Sequence, residues 1–209
     1  MVSRSNSFNI EIASFFDPFG NAVHSINCFN IIGEDLLITG AGPIGLISVA
    51  ICKFISAKNI VITDINDYRL NLAKQLGATK TINTKKDSIK NCFDELNIKH
   101  GFDVGLEMSG NGQAFNEMLS CIYHGGKIVL LGLLPKSTCI DWDNIIFKGL
   151  QIRGVYGREM YETWYKMDQL IKSGLNLNKI ITHKFPISSF DEAFKVISSG
   201  QCGKVIMEW

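Results

Sequence analysis

The sequence lacks any cluster of cysteine and histidine residues of the kind that holds a zinc ion. Its six cysteines and four histidines are scattered over 209 residues, with no Cys-x-x-Cys pair and no cysteine at ligand spacing from a histidine. Cys28, Cys52 and Cys121 lie in apolar segments, where a thiol in a reducing compartment acts as a small hydrophobic side chain. The sequence therefore predicts no metal site, and structural rather than catalytic histidines.

A strong excess of either charge is also missing. The formal net charge is +1 and no basic stripe is present, which argues against a nucleic-acid partner. Residues 36–52 form an uncharged run, but three glycines and a proline interrupt it where a membrane-spanning helix would continue. Residues 1–7 contain no apolar stretch behind their single arginine, so no secretion signal is predicted. We expect a cytoplasmic protein with no membrane partner.

The most informative segment, residues 36–64, carries a glycine pattern between two apolar strands. Gly40, Gly42 and Gly45 have GxGxxG spacing, a helical pattern follows, and the second strand ends in Asp64. In a dinucleotide-binding βαβ unit these glycines permit a tight turn, close approach to a pyrophosphate and close helix–strand packing. The acid accepts hydrogen bonds from the adenosine ribose and repels a 2′-phosphate. We therefore expect NAD to bind here, the alternative being an ordinary glycine turn.

Strand and helix patterns alternate through most of the chain. This alternation predicts an α/β fold with a doubly wound, parallel, six-stranded Rossmann sheet. With 46% hydrophobic residues the chain can bury a full core, as one domain or one domain with part of another. The predicted strands cover residues 36–39, 59–63, 79–82, 102–108, 127–131 and 150–156, and the predicted helices cover residues 67–76, 88–96, 114–122 and 143–147.

The last 50 or so residues have a different pattern. An amphipathic helix over residues 162–173 is followed by a short strand near Ile180, a helix over 189–197 and a terminal strand over 204–207. Ser189 and Glu192 have the spacing of a capping box at the start of the second helix. We expect these elements not to extend the main sheet.

Ligands of doubly wound sheets lie outside the carboxyl ends of the strands, so residues at those ends are site candidates. Glycine recurs there, as Gly110, Gly132 and Gly157, which suits a backbone that passes close to an extended dinucleotide. Arg69 follows Asp64 closely enough to reach the adenosine end of such a ligand, or it is a solvated arginine on a helix face.

Three further segments, residues 16–24, 101–110 and 154–160, carry a specific resemblance when taken with the glycine pattern. Together they resemble the L-threonine 3-dehydrogenases, a group within the zinc-dependent medium-chain dehydrogenases. The resemblance extends from about Ile10 to the last residue. It implies oxidation of L-threonine with NAD to 2-amino-3-oxobutanoate, by a cytoplasmic homotetramer that uses zinc.

The resemblance also implies roles for individual residues. Asp17 matches a carboxylate of the proton relay near the catalytic zinc, although an acid beside Pro18 at a helix start has an equally simple structural role. The NAD contacts implied are Ile44, Asp64, Arg69, Leu131, Gly132, Leu133, Val155 and Tyr156.

The family pattern further implies a division of the chain. Residues 1–17 match a remnant of the catalytic domain, residues 18–157 the NAD-binding domain, and residues 158–209 the C-terminal part of the GroES-like catalytic domain. The zinc ligands of the family are a cysteine, a His-Glu pair and a separate four-cysteine cluster. They lie ahead of the matched segment, so zinc belongs to the family while its ligands are not in this chain.

The missing ligands affect the expected activity. A zinc ion lowers the pKa of bound water from about 15.7 to about 7. Losing a shift of that size forfeits roughly 12 kcal/mol of help in forming an alkoxide. We expect the chain by itself to bind NAD with negligible threonine oxidation. The alternatives are a non-catalytic NAD-binding or interaction module and a related polyol or butanediol dehydrogenase.

Overall fold

The structure is a computed structural model that describes residues 10–209. Residues 1–9 lie outside the described residues. The expectation of no secretion signal and the first part of the segment assigned to residues 1–17 fall there.

A six-stranded sheet forms the centre of the fold, and all of its strands are parallel, as predicted. Their spatial order is β3-β2-β1-β4-β5-β6, so the order reverses between β1 and β4. The strands are β1 (Asp35–Thr39), β2 (Asn59–Asp64), β3 (Lys80–Asn83), β4 (Phe102–Glu107), β5 (Ile122–Leu130) and β6 (Gln151–Gly154).

Helices cover both faces of this sheet. The helices of residues 10–209 are α1 (Ile10–Ala13), α2 (Phe16–Ile26), α3 (Pro43–Phe54), α4 (Asp67–Leu76), α5 (Cys92–Glu95), α6 (Gly112–Cys121), α7 (Trp142–Lys148), α8 (Glu162–Lys172) and α9 (Phe190–Ser199). Side chains alternate along β1, so Leu36 and Ile38 join the core cluster under α2, α3 and α4, while Leu37 joins the cluster under α6. All five residues of β1 are buried, as a central parallel strand requires.

The C-terminal elements form a separate small sheet, and the prediction that they would not extend the main one is confirmed. Strand β7 (Ile181–Pro186) pairs in parallel with β8 (Lys204–Glu208), and α9 packs on both. Helix α8 packs instead on α2. Among residues 10–209, no helix combines the length and apolar character needed to cross a membrane.

Several local predictions were wrong or shifted. The helix predicted over residues 88–96 is a 3-10 turn, Ile89–Asn91, that leads into the short α5. Strand β5 begins at Ile122, five residues before the predicted start, because Ile122 pairs with Phe102 ahead of a register shift in the ladder. The strand predicted over residues 150–156 is limited to β6.

The predicted capping box is also wrong. Ser189 makes no side-chain hydrogen bond to the backbone of α9, which it precedes. Its ψ of 30° belongs to the 3-10 turn Ile187–Ser189 that runs directly into the helix, whereas a capping serine has an extended backbone. The hydroxyl group is therefore not directed at the first turn of α9.

Candidate dinucleotide-binding site

The glycine pattern lies in the loop that joins β1 to α3. Gly40 has a φ of +90°, and a Cβ atom there would lie 2.9 Å from the Cα of Ser109. A Cβ atom at Gly45 would lie 1.9 Å from the carbonyl oxygen of Gly40. Glycine is therefore required at these two positions by the fold itself. Gly42 differs, since a Cβ atom there would meet no protein atom within 4 Å.

A cleft of about 570 Å³ opens next to this loop, at the point where the strand order reverses. Such switch points are where doubly wound sheets hold ligands. Helix α3 begins at the cleft with Gly42 as its N-cap and Pro43 in its first turn, and no side chain caps it. The first N–H groups of a helix have no partner within the helix and attract anions. Residues lining the cleft include Gly40, Gly42, Asp64, Arg69, Met108 and Ser109.

Asp64 connects the glycine loop to the start of α4. Its Oδ2 accepts a hydrogen bond from the Ala41 N–H at 2.6 Å, and its Oδ1 accepts from the N–H groups of Ile65 and Asn66 at 2.7 and 2.9 Å. A carboxylate has about four acceptor positions, so three protein donors leave capacity for about one more. The half-buried Asp64 is thus placed in the cleft with room for a ribose hydroxyl.

Arg69 lies in the first turn of α4, where its N–H donates to the Asn66 side chain that caps the helix. The Arg69 side chain lines the cleft, and its buried Nε has no hydrogen-bond partner within residues 10–209. A buried N–H donor that lacks an acceptor is costly. An anionic or hydroxyl-bearing ligand in the cleft would supply that acceptor, so these residues fit a dinucleotide.

The remaining predicted contacts lie at the carboxyl ends of β5 and β6 and do not line this cleft. Leu133 and Tyr156 are 89% and 97% exposed, whereas Val155 is buried and Leu131 is half-buried. Ile44, the fifth residue of the glycine pattern, lies in the first turn of α3. The structure therefore places the predicted residues along one edge of the sheet but brings only some of them together.

Sequence reasoning missed Glu107, the last residue of β4. Its side chain is fully buried, and its Oε1 accepts hydrogen bonds from the N–H groups of Ser109 and Gly110 at 2.9 and 3.0 Å. The signal was available, because an acid at the end of an apolar strand and directly before Met108-Ser109-Gly110 is unusual in a core.

Asp17 lies in the first turn of α2 and forms an ion pair with Arg158, which follows β6. The guanidinium group of Arg158 lies 5.5 Å from the ring centre of Trp164. His24 Nδ1 is within hydrogen-bond distance of the Gly157 carbonyl, at 2.9 Å. These contacts attach the segment after β6 to α2, and they place the exposed Asp17 beside the segment that contains Tyr156.

No group of three or more histidine, cysteine, aspartate or glutamate side chains in residues 10–209 could hold a metal ion. Burial raises the pKa of the Cys52 thiol, and burial next to Cys121 raises that of Cys92 to about 11. Both thiols are therefore protonated near neutral pH and are poor metal ligands. The described residues do not fit a zinc site.

Comparison with known proteins identifies relatives of high similarity. A family model described as "Zinc-binding dehydrogenase" matches residues 43–173. An L-threonine 3-dehydrogenase of Chromobacterium violaceum is 58% identical over 199 residues, which cover 95% of this chain and 58% of that protein. One from a Marinomonas species is 54% identical over 215 residues, covering 100% of this chain and 63% of the relative. The chain thus spans about three-fifths of the length of these relatives.

Solved structures show the same fold. An alcohol dehydrogenase of Escherichia coli CFT073, solved with NADH, has a TM-score of 0.87 and 25% identity, with 98% of this chain and 61% of that chain covered. The 2R,3R-butanediol dehydrogenase of Bacillus subtilis has a TM-score of 0.86 and 20% identity, with coverage of 98% and 59%. The second likeness concerns the fold alone.

Proposed function

This chain belongs to the zinc-binding dehydrogenase family, and on that premise we propose that it is the NAD-binding part of an enzyme that oxidises L-threonine. The observation that carries the proposal is the cleft between the glycine loop and α4, where the Arg69 Nε has no hydrogen-bond partner in the described part of the chain. The identity of 54–58% to L-threonine 3-dehydrogenases supports the substrate, with 2-amino-3-oxobutanoate as product. A cytoplasmic location is part of the same proposal.

Each group in the cleft has a distinct task in holding NAD. The uncapped start of α3 would receive the pyrophosphate, and the open space at Gly42 would let the phosphates approach the backbone. The remaining acceptor capacity of Asp64 would bind a ribose hydroxyl, and its charge would disfavour the 2′-phosphate of NADP. When bound, NAD supplies the acceptor for the hydride that leaves the substrate carbinol.

Oxidation also requires that the substrate hydroxyl lose its proton. Asp17 is the candidate relay carboxylate, and its ion pair with Arg158 fixes it near Tyr156. A paired, exposed carboxylate does not make an alkoxide accessible at neutral pH. Because the described residues do not fit zinc, we infer that the 209-residue polypeptide alone binds NAD without oxidising threonine at an ordinary enzymatic rate.

We also propose that the chain assembles as a homo-oligomer, the family's tetramer being the expected state. Within residues 10–209, strand β6 pairs with β5 on one side only, and all four of its residues are exposed. Apolar side chains of α7, the helix that precedes β6 in the chain, are also 61–78% exposed, namely Trp142, Ile146 and Phe147. An unpaired strand edge next to apolar surface favours pairing with another chain. Light scattering after size-exclusion chromatography measures this directly.

The proposed division of the chain remains that of residues 1–17, 18–157 and 158–209. The separate β7–β8 sheet and the exposed apolar face of α9, with Phe190, Phe194 and Ile197, support a second packing unit from β7 onward, while α8 packs on α2. A domain that is completed elsewhere would cover such a face.

Calorimetric titration of the purified chain with NAD and NADP tests the cofactor proposal. We expect saturable NAD binding and weaker NADP binding, and Asp64→Asn should lower the ratio of NAD affinity to NADP affinity by about tenfold. The ratio is measured because Asp64 also accepts hydrogen bonds from three backbone N–H groups, so its replacement can weaken the binding of both ligands. Asp67→Asn is the matched control, since Asp67 is exposed and paired with Lys86 at 2.6 Å. Absence of any NAD heat at millimolar concentration from a natively folded chain would overturn the proposal.

A further inference from the structure

We propose that Glu107 is the positioning residue of this site. Its buried carboxylate holds in place the floor of the cleft, formed by Met108 and Ser109, on which the part of NAD beyond the adenosine rests. The inference rests on the proposed function and adds a residue that neither the glycine pattern nor the family resemblance picked out. Glu107 is 0% exposed, yet it lies one residue away from Met108, which lines the cleft.

The Glu107 carboxylate accepts hydrogen bonds from donors at the ends of two strands. The Thr39 hydroxyl at the end of β1 donates to Oε1 at 3.3 Å. On the β4 side the Ser109 N–H and Gly110 N–H donate to the same oxygen at 2.9 and 3.0 Å, and the Ser109 hydroxyl donates to it as well. Such charge-assisted hydrogen bonds are stronger than those between neutral groups.

The backbone of Glu107 extends this connection to β5. Its carbonyl oxygen accepts hydrogen bonds from the N–H groups of Leu131 and Gly132, both at 3.1 Å. A Cβ atom at Gly132 would lie 2.2 Å from Glu107 Oε2, so the carboxylate occupies the space that a side chain at position 132 would need. One residue therefore joins the carboxyl ends of β1, β4 and β5.

This connection reaches the glycine loop through Ser109. A Cβ atom at Gly40 would lie 2.9 Å from the Ser109 Cα, so the glycine loop packs directly on the backbone that Glu107 holds. Ser109 and Met108 also line the cleft. Displacement of the Glu107 donors would therefore move the floor of the cleft and the turn that receives the pyrophosphate, while Asp64 and Arg69 belong to β2 and α4.

Glutamate is chemically suited to this place. A carboxylate only accepts hydrogen bonds and so matches a set of N–H and O–H donors, whereas a glutamine of the same shape would turn an NH₂ group toward some of them. An unpaired buried anion beside a pyrophosphate would repel it. The donors of Thr39, Ser109 and Gly110 satisfy the Glu107 charge from inside the protein, so the residue can act on the cofactor through position alone.

The test compares NAD with adenosine, which lacks the pyrophosphate and the nicotinamide half. Both ligands are titrated into wild type, Glu107→Gln and the control Asp35→Asn by calorimetry, with thermal unfolding measured alongside. Asp35 is a buried carboxylate at the opposite end of β1, paired with Lys58 and Asn59 at 2.7 Å each. We expect Glu107→Gln to weaken NAD binding about tenfold and to change adenosine binding less than about twofold, and Asp35→Asn to lower the melting temperature without changing the ratio of NAD to adenosine affinity.

Thr39→Val gives a second measurement if Glu107→Gln does not fold. It removes one donor to the carboxylate inside an otherwise unchanged strand, and we expect a loss of about threefold in NAD affinity with adenosine affinity unchanged. Equal weakening of NAD and adenosine, or no change in either, would overturn the inference while leaving the proposed function in place. Failure of the wild-type chain to bind NAD would overturn both.

Discussion

The two halves of the candidate cofactor site differ in how far the chain itself completes them. On the β1–β2 side, Asp64 makes three hydrogen bonds to backbone N–H groups and Arg69 has a buried Nε, so both side chains are held before any ligand arrives. On the β5–β6 side, Leu133 and Tyr156 are 89% and 97% exposed. In the proposed site the adenosine half would thus be preorganised by local contacts, whereas the residues proposed for the other half include highly exposed side chains.

This difference follows from the position of the two halves in the sheet. Strand β1 is central and buried along its length, while β6 is an edge strand with all residues exposed. Residues that follow a central strand are fixed by neighbours on both sides, but those that follow an edge strand have a neighbour on one side only. We expect substitutions of tightly packed residues such as Gly45 to change both stability and binding, and substitutions of exposed residues to change binding with little effect on stability.

The largest effect that would test this comparison is expected for Gly45→Ala. Its new Cβ atom would lie 1.9 Å from the Gly40 carbonyl oxygen, which forces α3 away from the glycine turn. We expect a loss of about 1–3 kcal/mol in the free energy of unfolding, measured by urea denaturation, together with loss of NAD binding.

Gly42→Ala is the matched control for that substitution. A Cβ atom at this position meets nothing within 4 Å, so the free energy of unfolding should stay within about 0.5 kcal/mol of the wild-type value. NAD binding should nevertheless weaken, because the methyl group would occupy the approach of the pyrophosphate. If Gly42→Ala bound NAD normally, the cleft would not be the phosphate site.

A smaller effect is expected for Arg69→Met. The buried Nε has no acceptor within the described part of the chain, so its removal should not lower the melting temperature. NAD affinity should fall by about tenfold or more, because a charge-assisted hydrogen bond is worth about 1.5–3 kcal/mol. Lys74→Met in the last turn of the same helix is the control and should leave NAD affinity unchanged. Equal NAD affinities for the Arg69→Met variant and the wild type would show that Arg69 does not contact NAD and is an arginine on the face of the helix.

The same contrast explains what could be predicted from the sequence. The parallel six-stranded sheet could be predicted because buried strands such as β1 are apolar runs and helices such as α4 carry apolar residues at helical spacing. Asp64 and the three glycines could be predicted as site residues because their proposed roles depend on spacing along the chain, and Gly40, Gly42 and Asp64 line one cleft. Local patterns of this kind are fixed by neighbours a few residues apart.

What depends on contacts distant in sequence was not predicted. The donors of Glu107 come from Thr39, 68 residues away, as well as from the next turn. Strand β5 begins at Ile122 because this residue pairs with Phe102. Ser189 does not cap α9 because a 3-10 turn precedes the helix. The ion pair of Asp17 with Arg158 joins residues 141 positions apart. Only tertiary packing brings such residues together.

The smallest effect is expected for Tyr156→Ala, which tests how much the exposed β5–β6 half of the candidate site contributes to NAD binding. Because Tyr156 is 97% exposed, its removal should leave the melting temperature unchanged. In the chain by itself the loss in NAD affinity should be below about threefold, since an exposed ring immobilised on binding gains little. Val155→Ala at the neighbouring buried position is the counterpart and should lower stability by about 1 kcal/mol through the cavity it leaves. A tenfold loss of NAD affinity in Tyr156→Ala, measured by calorimetry, would mean that the β5–β6 half closes on the cofactor without help from another surface.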